Sequence, residues 1–139
     1  MNQDLTNLIV KDQVSIYNFD KLKIGDHVSI NHGCFISCFG GLKIGNYVAI
    51  GHNTSILTTE HGFEDENTPI KYQPIREKPV SIGNNVWIGA NCTILAGVSI
   101  ADDTIVAAGA LVKKSITESG TIVGGIPAKF LKDHKARVE

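Results

Sequence analysis

The feature that most restricts this chain is a spacing of six. Ile82, Ile88, Ile94, Ile100, Val106 and Val112 follow one another at six-residue intervals without a slip. Four residues after each stands Val86, Cys92, Val98, Thr104, Ala110 or Ile116, mostly small or β-branched. Gly or Ala directly follows Ile82, Ile88, Ile100 and Val106. An α-helix advances about 100° per residue, so a period of six scatters these side chains around its axis. In extended chain an even period keeps them on one face, provided the backbone turns regularly. The 18 Ile and 11 Val against 8 Leu, together with 14 Gly, favour short strands joined by tight corners.

The same hexads run earlier, through Ile24, Ile30 and Ile36 and again through Ile44, Ile50 and Ile56. A second repeat overlays them: Leu22-Lys23-Ile24-Gly25 returns as Leu42-Lys43-Ile44-Gly45. That interval is three hexads plus two residues, which fall in one corner near Phe39-Gly40-Gly41. The motif returns once more as Val80-Ser81-Ile82-Gly83, after one coil and a surplus held in Thr58–Pro79. That stretch contains Pro69, Pro74 and Pro79 and no hexads, and reads as a loop thrown out of a solenoid. Insertions of this kind often build a solenoid's functional face. After Val112 the pattern fades, and Thr121-Ile122-Val123 reads as a strand. Pro127 is placed to open a helix over Ala128–Val138, with Phe130 and Leu131 turned to the core as a cap on the open end. At the other end Leu5, Leu8 and Ile9 show helical spacing over little more than one turn. The expected organisation is one domain over 1–139: a β-helix from about 14 to 126, an excursion at 58–79 and a helix at 128–138.

Composition removes several classes of function. With 139 residues the chain is one domain by length. Its 13 Lys+Arg against 14 Asp+Glu give a net charge of -1, which argues against a nucleic-acid partner. No apolar run approaches the roughly 18 residues of a membrane span, so no membrane insertion is expected. Lys11, Asp12, Asp20 and Lys21 interrupt the region where a signal peptide would place its apolar core. Cys34, Cys38 and Cys92 are too few, and odd in number, for a disulfide framework, and a reducing cytoplasm is the expected compartment.

Hexads of the form Ile-Gly-x-x-Val-x, three to a coil, resemble the left-handed parallel β-helix of the hexapeptide-repeat acyltransferases. The specific words are Ile82-Gly83-Asn84-Asn85-Val86-Trp87-Ile88-Gly89-Ala90, then Ala107-Ala108-Gly109-Ala110-Leu111-Val112-Lys113-Lys114, then Gly124-Gly125-Ile126-Pro127-Ala128-Lys129. From Val80 to Leu131 they resemble the galactoside, maltose and nodulation O-acetyltransferase branch and the small acetyltransferases of O-antigen and capsule biosynthesis. The helical segment that precedes the β-helix in the sugar acetyltransferases, and helps to shape their acceptor pocket, is nearly missing here. The resemblance implies an all-β, single-stranded left-handed parallel β-helix assembled as a homotrimer, with acetyl-CoA held between neighbouring subunits as co-substrate. It implies acetyl transfer to a sugar hydroxyl, with transfer to the amine of a nucleotide-linked amino sugar as the runner-up.

Such a transfer needs a base for the acceptor proton, a donor for the developing oxyanion and a slot for coenzyme A. No metal is required, because the thioester is already activated. The resemblance makes His61, where the coil ends and the loop begins, the catalytic base. A neutral imidazole can accept a proton at pH 7. Adjacent Glu60 points to the other side of a strand and is read as solvated. Asn31 matches a family asparagine near the acceptor, or is a coil-corner residue. Trp87 lines the pantetheine or acceptor slot, or packs between coil and loop. A backbone N–H in Gly89-Ala90 is implied as the oxyanion donor. Ala107 and Ala108 offer a smooth surface to the pantetheine arm, and Lys113, Lys114, Lys129 and Lys132 offer ammonium groups to the coenzyme phosphates. Two other classes share the architecture. A γ-carbonic-anhydrase-like zinc enzyme would use His27 and His32 but lacks an earlier third histidine, and a non-catalytic scaffold needs no site at all.

Overall fold

The computed structural model of the protein describes residues 7–134. The chain winds as a three-sided prism of stacked coils, each side a parallel sheet. The first face holds Ser15–Tyr17, Phe35–Ser37, Ser55–Ile56, Thr93–Ile94 and Leu111–Val112. The second holds Leu22–Ile24, Leu42–Ile44, Val80–Ile82 and Ser99–Ile100. The third holds Ile9–Val10, Val28–Ile30, Val48–Ile50, Val86–Ile88, Ile105–Val106 and Thr121–Gly124.

The hexad residues set the register. Ile36, Ile56, Ile94 and Val112 stack on the first face. Ile24, Ile44, Ile82 and Ile100 stack on the second, and Ile30, Ile50, Ile88 and Val106 on the third. None of these twelve side chains is more than 3% exposed. Burying each one contributes roughly 1.5–3 kcal/mol, so the columns dominate the stability of the prism. Cys34, Cys38 and Cys92 are buried free thiols inside it, and burial pushes Cys38 up to about 11. They are core residues, unsuited to act as thiolate nucleophiles.

The two ends correct the sequence reading. No helix forms over Lys129–Asp133; those residues make a strand antiparallel to Thr121–Gly124. The physical reason is the open edge. The last parallel strand would present unpaired N–H and C=O groups, and a returning strand satisfies them where a helix would not. Phe130 and Leu131 are accordingly exposed and do not face the core. The rest of the expected helix, residues 135–138, lies outside the described residues. At the start of the chain Ile9–Val10 is a strand paired with Ser29 and Ile30, so the helical spacing of Leu5, Leu8 and Ile9 is not realised at Ile9. Leu5 lies outside the described residues.

The excursion leaves the corner between the first and second faces. It is the same corner that takes two extra residues at 38–41 in the preceding coil. Thr59–His61 and Ile75–Glu77 form an antiparallel hairpin. Buried Gln73 organises its tip, donating from Nε2 to the carbonyls of Asp65 and Thr68 at 2.9 Å each and accepting from Asp65 N–H at 3.1 Å. Thr58 anchors its root. Its Oγ1 donates to Ser37 O at 2.8 Å and accepts from Gly40 N–H at 2.9 Å, while its carbonyl accepts from Lys78 N–H at 2.8 Å. No helix among the described residues is long and apolar enough to cross a membrane.

Candidate active site

Two of the prism's corners are built on one backbone plan. Between the second and third faces the third corner residue takes a positive φ at His27, Tyr47, Asn85 and Asp103. Between the third and first faces the same place is held by Gln13, Gly33, Asn53, Asn91 and Gly109. Asn, Asp, His and Gly tolerate this left-handed region best. Tyr47 is the bulky exception, and its ring stacks on His27 with centroids 4.7 Å apart. At both corners the N–H of that residue donates to a carbonyl of the coil before it, as Asn85 to Asn46 and Asn91 to His52.

The middle corner residue makes the difference. At the first of these corners Asn46, Asn84 and Asp102 form a ladder. Each Oδ1 accepts the backbone N–H of the middle residue one coil earlier, Asp26, Asn46 and Asn84, at 2.9, 2.8 and 2.7 Å. At the second corner the equivalent residues are His32, His52, Ala90 and Ala108. Among the described residues none of their N–H groups has such a side-chain cap. The backbone there is also closely stacked: a Cβ on Gly51 would meet Ala90 N at 2.5 Å, and one on Gly89 would meet Ala108 N at 2.6 Å. Thr54 braces the corner from inside, donating from Oγ1 to Gly89 O at 3.0 Å.

This uncapped corner carries a groove. One recess of about 390 Å³ is lined by Gly51, His52, Trp87, Gly89, Ala90, Ala107 and Ala108 among others. A second, of about 510 Å³, is lined by Lys11, Asp12, Asn31, His32, Gly51 and His52. Gly51 and His52 line both, so the two recesses adjoin along the corner. The structure thus brings together Asn31, Trp87, Gly89, Ala90, Ala107 and Ala108 from the sequence reading. Trp87 is 55% exposed on the third face, a surface residue and not a side chain sandwiched between coil and loop. Asn31 is not in the left-handed region; its Nδ2 donates to Ile50 O at 2.8 Å, which fixes the carboxamide against the next coil.

Other expected residues stand apart. Lys114 and Lys129 line a separate recess of about 210 Å³ at the last coil, beside Ala128 and Phe130. Lys113 and Lys132 are exposed, the latter opposite Ile122 on the returning strand. His61 is exposed on the hairpin, opposite Ile75, at a different corner from the groove. Within a single chain it does not meet Asn31 or Ala90. Glu60 is more than solvated: it pairs with Lys78 Nζ at 2.5 Å and Arg76 at 3.9 Å. Arg76 also pairs with Glu64, and that contact holds the Glu64 carboxyl below the usual range. These ion pairs brace the hairpin that carries His61.

His27 and His32 sit at opposite ends of the strand Val28–Ile30, one stacked on Tyr47 and the other paired with Asp12 at 3.0 Å. They do not converge, and no group of three or more His, Cys, Asp or Glu among the described residues is arranged to hold a metal. Sequence reasoning missed His52, Lys11 and the Asp12–His32 pair as groove residues. Their signal is positional: Asp12, His32 and His52 recur at intervals of twenty, at the middle of one corner.

Residues 79–114 match the family described as bacterial transferase hexapeptide (six repeats). The chain is 30% identical over 128 residues to the "Putative lipopolysaccharide biosynthesis O-acetyl transferase WbbJ" of Escherichia coli K12, covering 92% of this chain and 58% of that protein. It therefore spans little more than half the length of that curated relative. Among solved structures, a hexapeptide-repeat containing acetyltransferase of Vibrio cholerae superimposes with a TM-score of 0.84 at 30% identity, over 96% of this chain and 74% of that one. The same Vibrio cholerae protein has been solved with acetyl coenzyme A. Galactoside acetyltransferase in complex with coenzyme A superimposes with a TM-score of 0.86 at 28% identity, over 94% of this chain and 64% of that one.

Proposed function

Since the chain belongs to the hexapeptide-repeat acetyltransferases, we propose that it transfers an acetyl group from acetyl-CoA to a hydroxyl of a sugar, in the building of surface glycans. The observation that carries this reading is the uncapped corner. Gly51, Gly89, Ala107 and Ala108 leave its surface bare, so a narrow chain such as a pantetheine arm can lie against backbone. The N–H groups of Ala90 and Ala108, without the caps of the other corner, are donors for a ligand in the groove. The relative named as an O-acetyl transferase supports a hydroxyl acceptor, and the two neighbours solved with coenzyme A or acetyl-CoA support the donor.

Bound acetyl-CoA would supply an acetyl group already activated as a thioester, the C–S bond breaking as the ester forms and the thiol leaving as CoA-SH with the proton taken from the acceptor. The protein's own part is orientation, proton removal and charge stabilisation. Ala90 N–H faces the developing oxyanion, a role in which a preorganised donor contributes about 3–4 kcal/mol. Trp87 and Asn31 position donor and acceptor on either side of it. His61 Nε2 or Nδ1 takes the acceptor proton as the oxygen attacks. Because His61 and the groove lie at different corners of one prism, the hairpin of one subunit reaches the groove of the next, in a closed homotrimer. Lys114 and Lys129, with Lys113 and Lys132 nearby, offer charge to the coenzyme phosphates.

The test is His61→Ala, assayed by thiol release from acetyl-CoA with a panel of sugars. The turnover number falls by about 100-fold or more, as loss of a general base requires, while coenzyme A still binds. Near-normal turnover removes His61 from the reaction. A stable monomer in light scattering overturns the intersubunit site.

A further inference from the structure

We propose that the recess lined by Lys11, Asp12, Asn31, His32 and His52 receives an anionic group of the acceptor sugar, a carboxylate or a phosphoryl group. The inference rests on the acetyl-transfer reading for its orientation, since it places the acceptor's reacting hydroxyl beside Ala90. His52 lies one coil before Ala90 on the same corner, and Asn31 and His32 lie two coils before it. Stacked strands repeat at about 4.8 Å, so these groups lie roughly 5 and 10 Å from the reacting centre. That is the reach of a hexose ring and one substituent. Gly51 and His52 line both this recess and the one beside Ala90, so the two adjoin.

Charge supplies the second argument. The one carboxylate in the lining, Asp12, accepts from Nδ1 of His32 at 3.0 Å, and this bond holds its carboxyl below the usual aspartate range. Its negative charge is thereby engaged by an imidazole that also lines the recess. Lys11 adds a full positive charge, and His52 adds a second imidazole. Neutral or protonated, the two histidines leave the lining neutral to positive and never net negative. The neighbouring corner is its opposite, carrying Asp26, Asp102 and Asp103 with a single histidine. Asn31 and Asp12 keep oxygens free to accept from sugar hydroxyls, and the Lys11 ammonium is the cationic donor in the lining that suits an anionic substituent.

The experiment uses the whole protein saturated with acetyl-CoA and offers glucose, glucuronate and glucose 6-phosphate as acceptors. Thiol release is expected to show kcat/KM at least about tenfold higher for one of the anionic sugars than for glucose. The two anionic arms decide between carboxylate and phosphoryl. In the double variant Lys11→Gln with His32→Gln, that preference collapses to within about threefold, while affinity for coenzyme A and the thermal midpoint hold. Glucose used as well as either anion, or a variant that slows all three equally, overturns the inference. Binding read separately by imidazole proton shifts of His32 and His52 keeps the two readings apart. Shifts with an anionic sugar but no thiol release with any acceptor keep the recess and sink the transfer reading. Thiol release from glucose alone without imidazole shifts does the reverse.

Discussion

At the corner between the second and third faces, Asn46, Asn84 and Asp102 spend their side chains on capping the coil before them. At the corner between the third and first faces, the same backbone positions hold His32, His52, Ala90 and Ala108, and among the described residues no side chain caps their N–H groups. The carbonyl-to-amide rungs and the left-handed third residue are common to both. Fold and candidate site are therefore separable here: the rungs maintain the prism, and the middle residue decides whether a corner is closed by its own side chains or left open.

The comparison predicts equal intolerance at the first corner position. A Cβ on Gly45 would sit 2.5 Å from Asn84 Oδ1 and 2.7 Å from Gly83 O, and one on Gly51 would sit 2.5 Å from Ala90 N. Gly45→Ala and Gly51→Ala should each cost about 2–3 kcal/mol, the usual scale of forced overpacking. Thermal or urea unfolding measures both. If Gly51→Ala were harmless while Gly45→Ala was not, the two corners would not share one backbone plan.

A smaller effect separates the corners at the middle position. Asn84→Ala removes the acceptor for Asn46 N–H and should cost about 1 kcal/mol, with coenzyme A affinity untouched. Ala90→Asn does the converse. Its carboxamide would cap His52 N–H as Asn84 caps Asn46, leaving stability within about 1 kcal/mol of the parent. The same carboxamide would fill the groove and weaken coenzyme A by about tenfold or more, as titration calorimetry would read. Unchanged affinity in Ala90→Asn would mean that the open corner is not the coenzyme slot.

How far this was legible follows from what each residue answers to. Ile82 to Val112 are dictated by the packing of one column against the next, and a strict period exposes that in the sequence. The expulsion of 58–79 was equally plain, since three prolines and no hexads cannot continue a coil. The terminal helix was misread because Pro127 suits a helix start and Phe130 and Leu131 are apolar beside basic neighbours, while the deciding factor was the hydrogen-bonding need of the edge of Thr121–Gly124. That need belongs to the assembled sheet and leaves no local mark. In the site, Gly89-Ala90 and Ala107-Ala108 were visible as small residues in phase. His52, Lys11 and Asp12 were not, because a polar corner residue looks like any turn residue until the coils are stacked.

The least of these effects tests whether the open corner manages its own charge. Asp12 is exposed, and its side-chain hydrogen bond to His32 is the main cause of its lowered pKa, ahead of its own backbone contact. A carboxyl whose folded value lies below its unfolded one contributes stability above the ordinary aspartate value of about 3.9, and that contribution fades as the pH falls through the depressed value. Carbonyl NMR should therefore place the Asp12 titration below about 3.9 in the parent protein. In His32→Gln the midpoint should climb back toward the ordinary value, while the thermal midpoint at pH 7 barely moves, because exposed pairs contribute little. An unshifted Asp12 in the parent would mean that its charge stands unengaged in the recess, and the corner would then repel the anionic group that its lysine and histidines are placed to hold.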